Sequence, residues 1–521
     1  MVAPTKQIIS FMLIYWYKKD FRILDNSALD KALELCRLEN LEFLPVMGIE
    51  SDLVQSPLTS YEFGKFWQFG AVAAIIPLYL NYNHYGITAG LFYESIISYL
   101  ESIWRLKRIT YLISHQEHGT NGTFERDKEV ELFCQKHNIK WIQIQPSGIV
   151  RNLKSRDTRD AMVKQYLNQA VIPIPLFASY LQYKVNSNFW DSVSHNNSKI
   201  ASQFADLQKQ IGLDRDLKPT SEKNALSTLQ DFTTDRASGY RGGISSPNSA
   251  IVSGSRLSQF LAFGSVSVRL VYQNYWTQIK LTEDKKIRAG ILGSMQRLFW
   301  REHFVQRIET SANMPDVAIN PDFDNISYTH DPALFEAFRL GCTGEPLIDA
   351  CIRCLNSTGF INFRMRAMLI SYAVFGLDLN WREVGRYLAT VFLDYEPGIH
   401  WSQIQMQSGV TGINTIRVYS PSKQLVDQDS DCIFVKIWIT ELVNLDNADI
   451  LNYNKTNLYE LTNGKYPQPI VDFKTTCKLN KVKTFAIRKT SSKETAKATF
   501  VKHGSRKKVI KAKKTAINKS V

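Results

Sequence analysis

The feature that most constrains this chain is the regular exchange of strand-like and helix-like stretches over residues 8–150. Residues 11–17 (FMLIYWY) form a continuous apolar run, the pattern of a strand buried on both faces of a parallel sheet. Residues 24–40 have helical spacing, with Asp25 or Asn26 as the cap. Strand-like 41–50 follows, then an amphipathic helix over 90–107, a strand over 109–115 and a helix over 124–138. Residues 140–148 close the series. Strands separated by helices predict an α/β, doubly wound parallel-sheet (Rossmann-like) domain. No GxGxxG follows the first strand, which excludes the usual dinucleotide fingerprint there.

The remaining residues divide by composition. Residues 151–225 are polar and read as an interdomain connector. Residues 226–472 are almost wholly helical in pattern, and 473–521 form a basic tail ending in RKKVIKAKK. Such runs usually stay disordered, or bind nucleic acid or direct nuclear import. Sixty-three Lys and Arg against 49 Asp and Glu give a net charge of +14 and favour a polyanionic partner, although the tail alone could carry much of the excess. The seven Cys show no disulfide pattern, and Cys351 and Cys354 lie in a helix-like apolar stretch rather than in a metal or redox pair. No apolar run is long enough to cross a bilayer, and Lys18, Lys19, Asp20 and Arg22 follow the first run where a cleavage site would stand. The chain is expected to be intracellular, cytoplasmic or nuclear, neither secreted nor transmembrane.

Four segments of the helical half carry candidate chemistry. Gly254-Ser255-Arg256-Leu257-Ser258 opens a helix, where free backbone N–H groups suit a pyrophosphate or serve only as an ordinary cap. Arg297 and Arg301 share a helix face near Trp300. Thr358-Gly359-Phe360 breaks a helix and leads to Arg364 and Arg366, of which one is expected to point inward and to need an anion. Asp394 and Glu396, two apart in a loop, could supply it or could form a solvated acidic loop.

These segments together resemble the photolyase/cryptochrome family. Tyr17-Lys18-Lys19-Asp20-Phe21-Arg22-Ile23-Leu24-Asp25-Asn26 resembles its opening motif. Asn380-Trp381-Arg382-Glu383, Asp394-x-Glu396, Asn414-Thr415 to Pro421, Phe434 to Trp438 with Glu441 and Leu442, and Tyr466 to Val471 resemble later ones. The match spans about residues 10–475. It implies an α/β antenna domain followed by an all-α domain holding a U-shaped FAD, with an electron promoted by light from the reduced cofactor. By position, Tyr240, Gly254, Ser255, Arg256, Leu257 and Ser258 would hold the diphosphate and ribityl chain. Arg301, Phe363, Arg366, Asp394, Glu396 and His400 would surround the flavin, with Arg366 and Asp394 as an ion pair. A second, antenna pigment (folate or deazaflavin) would sit near His115, Glu117 and Arg126. No metal is implied.

The resemblance implies light-dependent repair of pyrimidine dimers on DNA, or, alternatively, a blue-light photoreceptor with DNA contact and a signalling partner. The departures bear on that choice. Arg297 stands where many repair members have Glu, three residues before Trp300. Met406 replaces a second stacking Trp, and Phe363 and Ala367 replace the His pair of the pyrimidine–pyrimidone repair type. His400 takes the position facing the flavin's reactive nitrogen. The electron relay keeps Trp381, but its neighbours become Ile404 and Tyr328, so Trp401 or Tyr395 would have to substitute.

Overall fold

The computed structural model describes residues 11–177, 188–211 and 219–504. Its first half holds a five-stranded sheet of β1 (Met12–Trp16), β2 (Glu42–Ile49), β3 (Gly90–Tyr93), β4 (Ile109–His115) and β5 (Lys140–Ile144). The order is β3-β2-β1-β4-β5, and every pairing is parallel. β1 is central and fully buried, which is why it reads as unbroken apolar sequence.

One strand differs from the sequence expectation. Residues 90–93 form β3, and the amphipathic helix begins later, at Ile96–Leu106, with Ser95 as its cap. A four-residue apolar strand directly before a helix carries no period of its own. Gly90 also meets the hydroxyl of Tyr99, where a Cβ would stand 2.1 Å away. This edge strand is covered: Asn197 accepts from the Leu91 N–H and donates to the Ala89 carbonyl. Asn197 belongs to the helix Asn188–Ile211, so the expected connector contains regular structure, including a second helix at Arg159–Leu167.

The loop after β1 joins the two halves. Asn26 caps the helix Ser27–Glu39 by accepting from the Leu29 N–H. Asp20 accepts from the Tyr15 hydroxyl and pairs with His115 Nδ1 at 2.6 Å. Asp25, in a left-handed conformation (φ 56°), accepts from Arg269 Nε at 3.0 Å, from the Arg269 Nη2 and from the Ser267 hydroxyl. Arg22 donates to the Gly264 carbonyl, and Glu222 accepts from the N–H groups of Ile23 and Leu24.

The remainder is helical. The long helix Lys285–Thr310 runs through it beside Pro397–Gln407. The expected tail is ordered for much of its length, with helices at Phe473–Thr490 and Lys493–His503, so helical structure continues past residue 472. Tertiary packing overrides composition here: Phe473 stacks on Tyr372 and Cys477 is buried. The RKKVIKAKK run lies outside the described residues.

The helix Lys493–His503 docks through its last carbonyls. Arg156 donates to Lys502 O and Arg307 donates to His503 O, placing cations at the negative end of the helix. His303 and His503 are buried beside these arginines, and burial holds the His503 imidazole down at about 3. Its unfolded value is about 6.5. A base depressed on folding contributes stability above the unfolded value and loses it as pH falls toward the folded one. Acidification from pH 7 to pH 4 should therefore release this helix, read as faster hydrogen exchange across residues 493–503. His503→Phe should weaken that pH dependence.

Candidate functional site

The site forms where a loop crosses the end of a helix. Thr358-Gly359-Phe360 ends the helix Pro346–Thr358, with Gly359 as a left-handed cap (φ 68°). Gly359 accepts from the Leu393 N–H, and a Cβ there would stand 2.6 Å from the Phe66 ring. This close approach fixes residues 392–396 against the next helix, Phe363–Ser371. On that helix Arg366 points inward. Its Nη2 lies 2.9 Å from both carboxylate oxygens of Asp394, and its Nε donates to Ile361 O. Arg364, two residues earlier, turns away to Gln424 and to the face of Tyr419.

Glu396 is met from the other side by Arg301, 3.1 Å away, which also pairs with Glu302 at 2.7 Å. Asp394 and Glu396 are both buried. The acidic loop is therefore not a solvated one, since each carboxylate has a guanidinium partner that offsets its desolvation. Arg297, one turn before Arg301, stays exposed, within electrostatic reach of the Tyr240 hydroxyl.

The serine-rich loop is held from behind. Arg236 donates to the carbonyls of Val252, Gly254 and Ser255, so these oxygens turn toward it. Leu257 is buried as the cap of the short helix Ser258–Ala262, while Ser258 is exposed. Arg256 adopts a left-handed conformation (φ 57°), uncommon for a non-glycine residue. Its guanidinium lies 3.7 Å over the Phe360 ring and makes no hydrogen bond among the described residues. Burial lowers its pKa, and the nearby Asp394 opposes that shift. Nearby, Asn362 spends its N–H₂ group on the carbonyls of Ile244 and Ser245, leaving a buried Oδ1 without a partner. Arg256, Phe360 and Asn362 line a cavity of about 170 Å³ with Cys354, Thr358 and Trp438.

This donor set fits FAD in kind. A desolvated cation lacking an acceptor suits a phosphate oxygen, an orphaned amide oxygen suits a ribityl or ring donor, and the Arg366–Asp394 pair presents both polarities to a flavin edge. The cavity is below the roughly 300–1,000 Å³ of a usual ligand pocket, so it accounts for one portion of a dinucleotide. Tyr240 does not line it; it packs on Phe232, with its hydroxyl toward Ser294 and Arg297.

Trp300 and Phe363 are 47% and 48% exposed, too exposed for core residues of their size. Met406 is half-buried, and Gln403 on its helix donates to Phe363 O. His400 is buried, with Nε2 2.8 Å from Gly385 O. Burial holds its pKa down at about 3, so it is neutral near pH 7 and is not a protonation switch there. Its ring touches Tyr395 and Trp401, both with centroids 5.1 Å away. Trp401 meets Trp381 at 6.3 Å and Tyr61 at 6.0 Å, and its Nε1 donates to the Tyr395 hydroxyl. Tyr395 in turn reaches Glu62 at 3.4 Å. Tyr328 is half-buried within electrostatic reach of Arg382, which lies over Trp381. The roles of Asn362, Arg236, Tyr61 and Glu62 were not foreseen. Only Asn362 left a sequence signal, as a cap-type residue directly before an arginine-bearing helix.

The expected antenna residues engage one another or nearby charges. Arg126 binds Glu50, Glu117 and Asp127, and His115 binds Asp20. Cys351 and Cys354 are buried in their helix, and burial raises both thiols, Cys354 to about 12.

Removing one partner of a buried pair leaves the other charge uncompensated, at a cost of about 3–5 kcal/mol. Arg366→Ala should lower stability by that order and abolish flavin retention. Arg366→Met with Asp394→Leu should recover most of the stability yet still bind no flavin. Urea unfolding and visible absorbance per protein test the two halves separately.

Residues 294–484 match the family model described as the FAD binding domain of DNA photolyase. The chain is 23% identical to a deoxyribodipyrimidine photo-lyase of Alkalihalophilus pseudofirmus over 88% of its own length and 94% of that protein. It shares the fold of an archaeal photolyase from Sulfolobus tokodaii that has two FAD molecules (TM-score 0.73, 22% identity, 91% of this chain and 99% of that one). A Synechocystis cryptochrome is similarly close in fold (TM-score 0.76, 18% identity, 91% and 99%). With the ion pairs and donor set described above, these matches show that residues 294–484 are an FAD-binding domain of the DNA photolyase type and that the chain has the fold of photolyases and cryptochromes.

Proposed function

We propose that this chain is a light-driven DNA photolyase that repairs pyrimidine dimers, using FAD held between Arg256, Arg366, Asp394 and Glu396. The observation that carries the reading is the inward Arg366, bonded to both oxygens of Asp394 beside the Arg301–Glu396 pair. When bound, the cofactor supplies light absorption and the transferred electron.

The chain's own residues do the rest. The ion pairs hold the polar edge of the flavin and exclude water from it. Arg256, lacking a hydrogen-bond acceptor among the described residues, would receive a phosphate oxygen. Trp300 and Phe363 are exposed aromatic faces on which an unstacked base can pack, worth about 1–3 kcal/mol per base. That return offsets part of the few kcal/mol needed to extrude a lesion. Arg297, exposed beside Trp300, meets a backbone phosphate rather than a base edge. The excess of 14 positive charges favours DNA in general. Trp401 and Trp381, buried rings 6.3 Å apart, would pass an electron toward the flavin in place of the altered relay, with the His400 ring packed 5.1 Å from Trp401. The protein would act inside the cell, in cytoplasm or nucleus; no described helix is long and apolar enough to cross a membrane.

A second reading, a blue-light photoreceptor with DNA contact and a signalling partner, is favoured by Arg297 and Met406, which replace an acceptor and a stacking ring. The purified protein should show flavin absorbance, and with reduced flavin it should remove dimers from an irradiated oligonucleotide only in light. Flavin absorbance without dimer loss selects the receptor; no flavin at all defeats both. In either case Trp401→Phe should slow light-driven flavin reduction by at least ten-fold while leaving flavin content unchanged.

A further inference from the structure

A groove of about 1310 Å³ lies away from the flavin residues and shares no lining residue with them. One wall is the helix Phe473–Thr490; the other is built from residues 453–457 and 468–472. The helix contributes Lys474, Lys478, Lys481 and Lys489, and the opposite wall contributes Lys455. At 1.5 Å per residue the four helix lysines span about 22 Å along one side. None of the five makes an ion pair among the described residues, whereas Lys483, pointing elsewhere, binds Asp378 at 2.5 Å.

Acidic compensation is limited to one carboxylate: Asp472 is exposed, caps the helix by accepting from the Lys474 and Thr475 N–H groups, and stays charged beside Lys474. Glu345 lies on the floor, hydrogen-bonded by the Tyr453 hydroxyl, and burial pushes its carboxyl up to about 8, so it is largely uncharged at neutral pH. Between the lysines the groove presents apolar groups: Phe485 is 50% exposed and Val482 63%. Cations alternating with an exposed ring form an electrostatic track with a stacking platform, the combination that holds a single nucleic-acid strand without regard to sequence. An acidic peptide would satisfy the lysines but leave the ring without a flat partner.

We propose that this groove is a second nucleic-acid site, which binds an undamaged single strand in the dark through the five lysines and Phe485. It does not depend on the flavin site being a repair centre. The full-length protein is titrated in darkness with a fluorescent oligothymidylate at several salt concentrations. Each phosphate neutralised contributes about 0.7 to the logarithmic salt slope for single strands. Lys474→Ala, Lys478→Ala, Lys481→Ala and Lys489→Ala together should lower that slope by about 2.8 and weaken binding at least ten-fold at low salt. Phe485→Ala should weaken binding at least five-fold with the slope unchanged, while Arg297→Ala should alter the slope by no more than one phosphate. An unchanged slope in the quadruple variant overturns the proposal. So does equal binding of an abasic strand of the same length, or displacement by polyglutamate at equal charge concentration, which would assign the groove to acidic peptides.

Discussion

Asp25 has almost no access to water, and its carboxylate is met by Arg269, by the Ser267 hydroxyl and by the Ile172 N–H. A carboxylate this deep costs several kcal/mol unless a cation and hydrogen-bond donors surround it. The requirement forces the helix Val268–Leu281 against the loop after β1, and Arg22 and Glu222 add bonds to the same junction. With the junction set, the helix Lys65–His84 is enclosed between the halves. Gly70 and Phe66 on that helix touch Phe263, Leu393 and Gly359. The loop that carries Asp394 thus rests on a helix from the first half of the chain.

The same rule operates at the flavin site. Arg366 with Asp394 and Arg301 with Glu396 are pairs that neither partner could leave, so the groups proposed to face a flavin are held by the protein itself. Arg256 is the exception: a half-buried cation on an uncommon backbone conformation, with a ring beneath it and no hydrogen-bond acceptor among the described residues. Uncompensated groups of this kind concentrate where a ligand completes them.

The α/β half was legible because β1 is an unbroken apolar run and β2 and β4 are mainly apolar, with helical spacing between strands. β3 was not, because four apolar residues that run into a helix have no separate period. The inward turn of one of Arg364 and Arg366 followed from their spacing, but the choice between them depended on Asp394, 28 residues away. The order of residues 473–503 was hidden by lysine-rich composition. Cys477, Thr484, Thr499 and His503 are buried there, and their partners on distant helices cannot be read locally. Likewise, Tyr395 was within view but its contact with Glu62, 333 positions away, was not.

The Asp25–Arg269 bond joins residues 244 apart. At a synthesis rate of about 5–20 residues per second, Arg269 leaves the ribosome roughly 10–50 s after Asp25. For that interval the Asp25 carboxylate lacks its Arg269 partner, while the apolar face of the helix Lys65–His84 has yet to be covered. Newly made first halves are thus the stage at which chaperones and proteases have the longest opportunity to act, and a slow codon before position 269 would lengthen it.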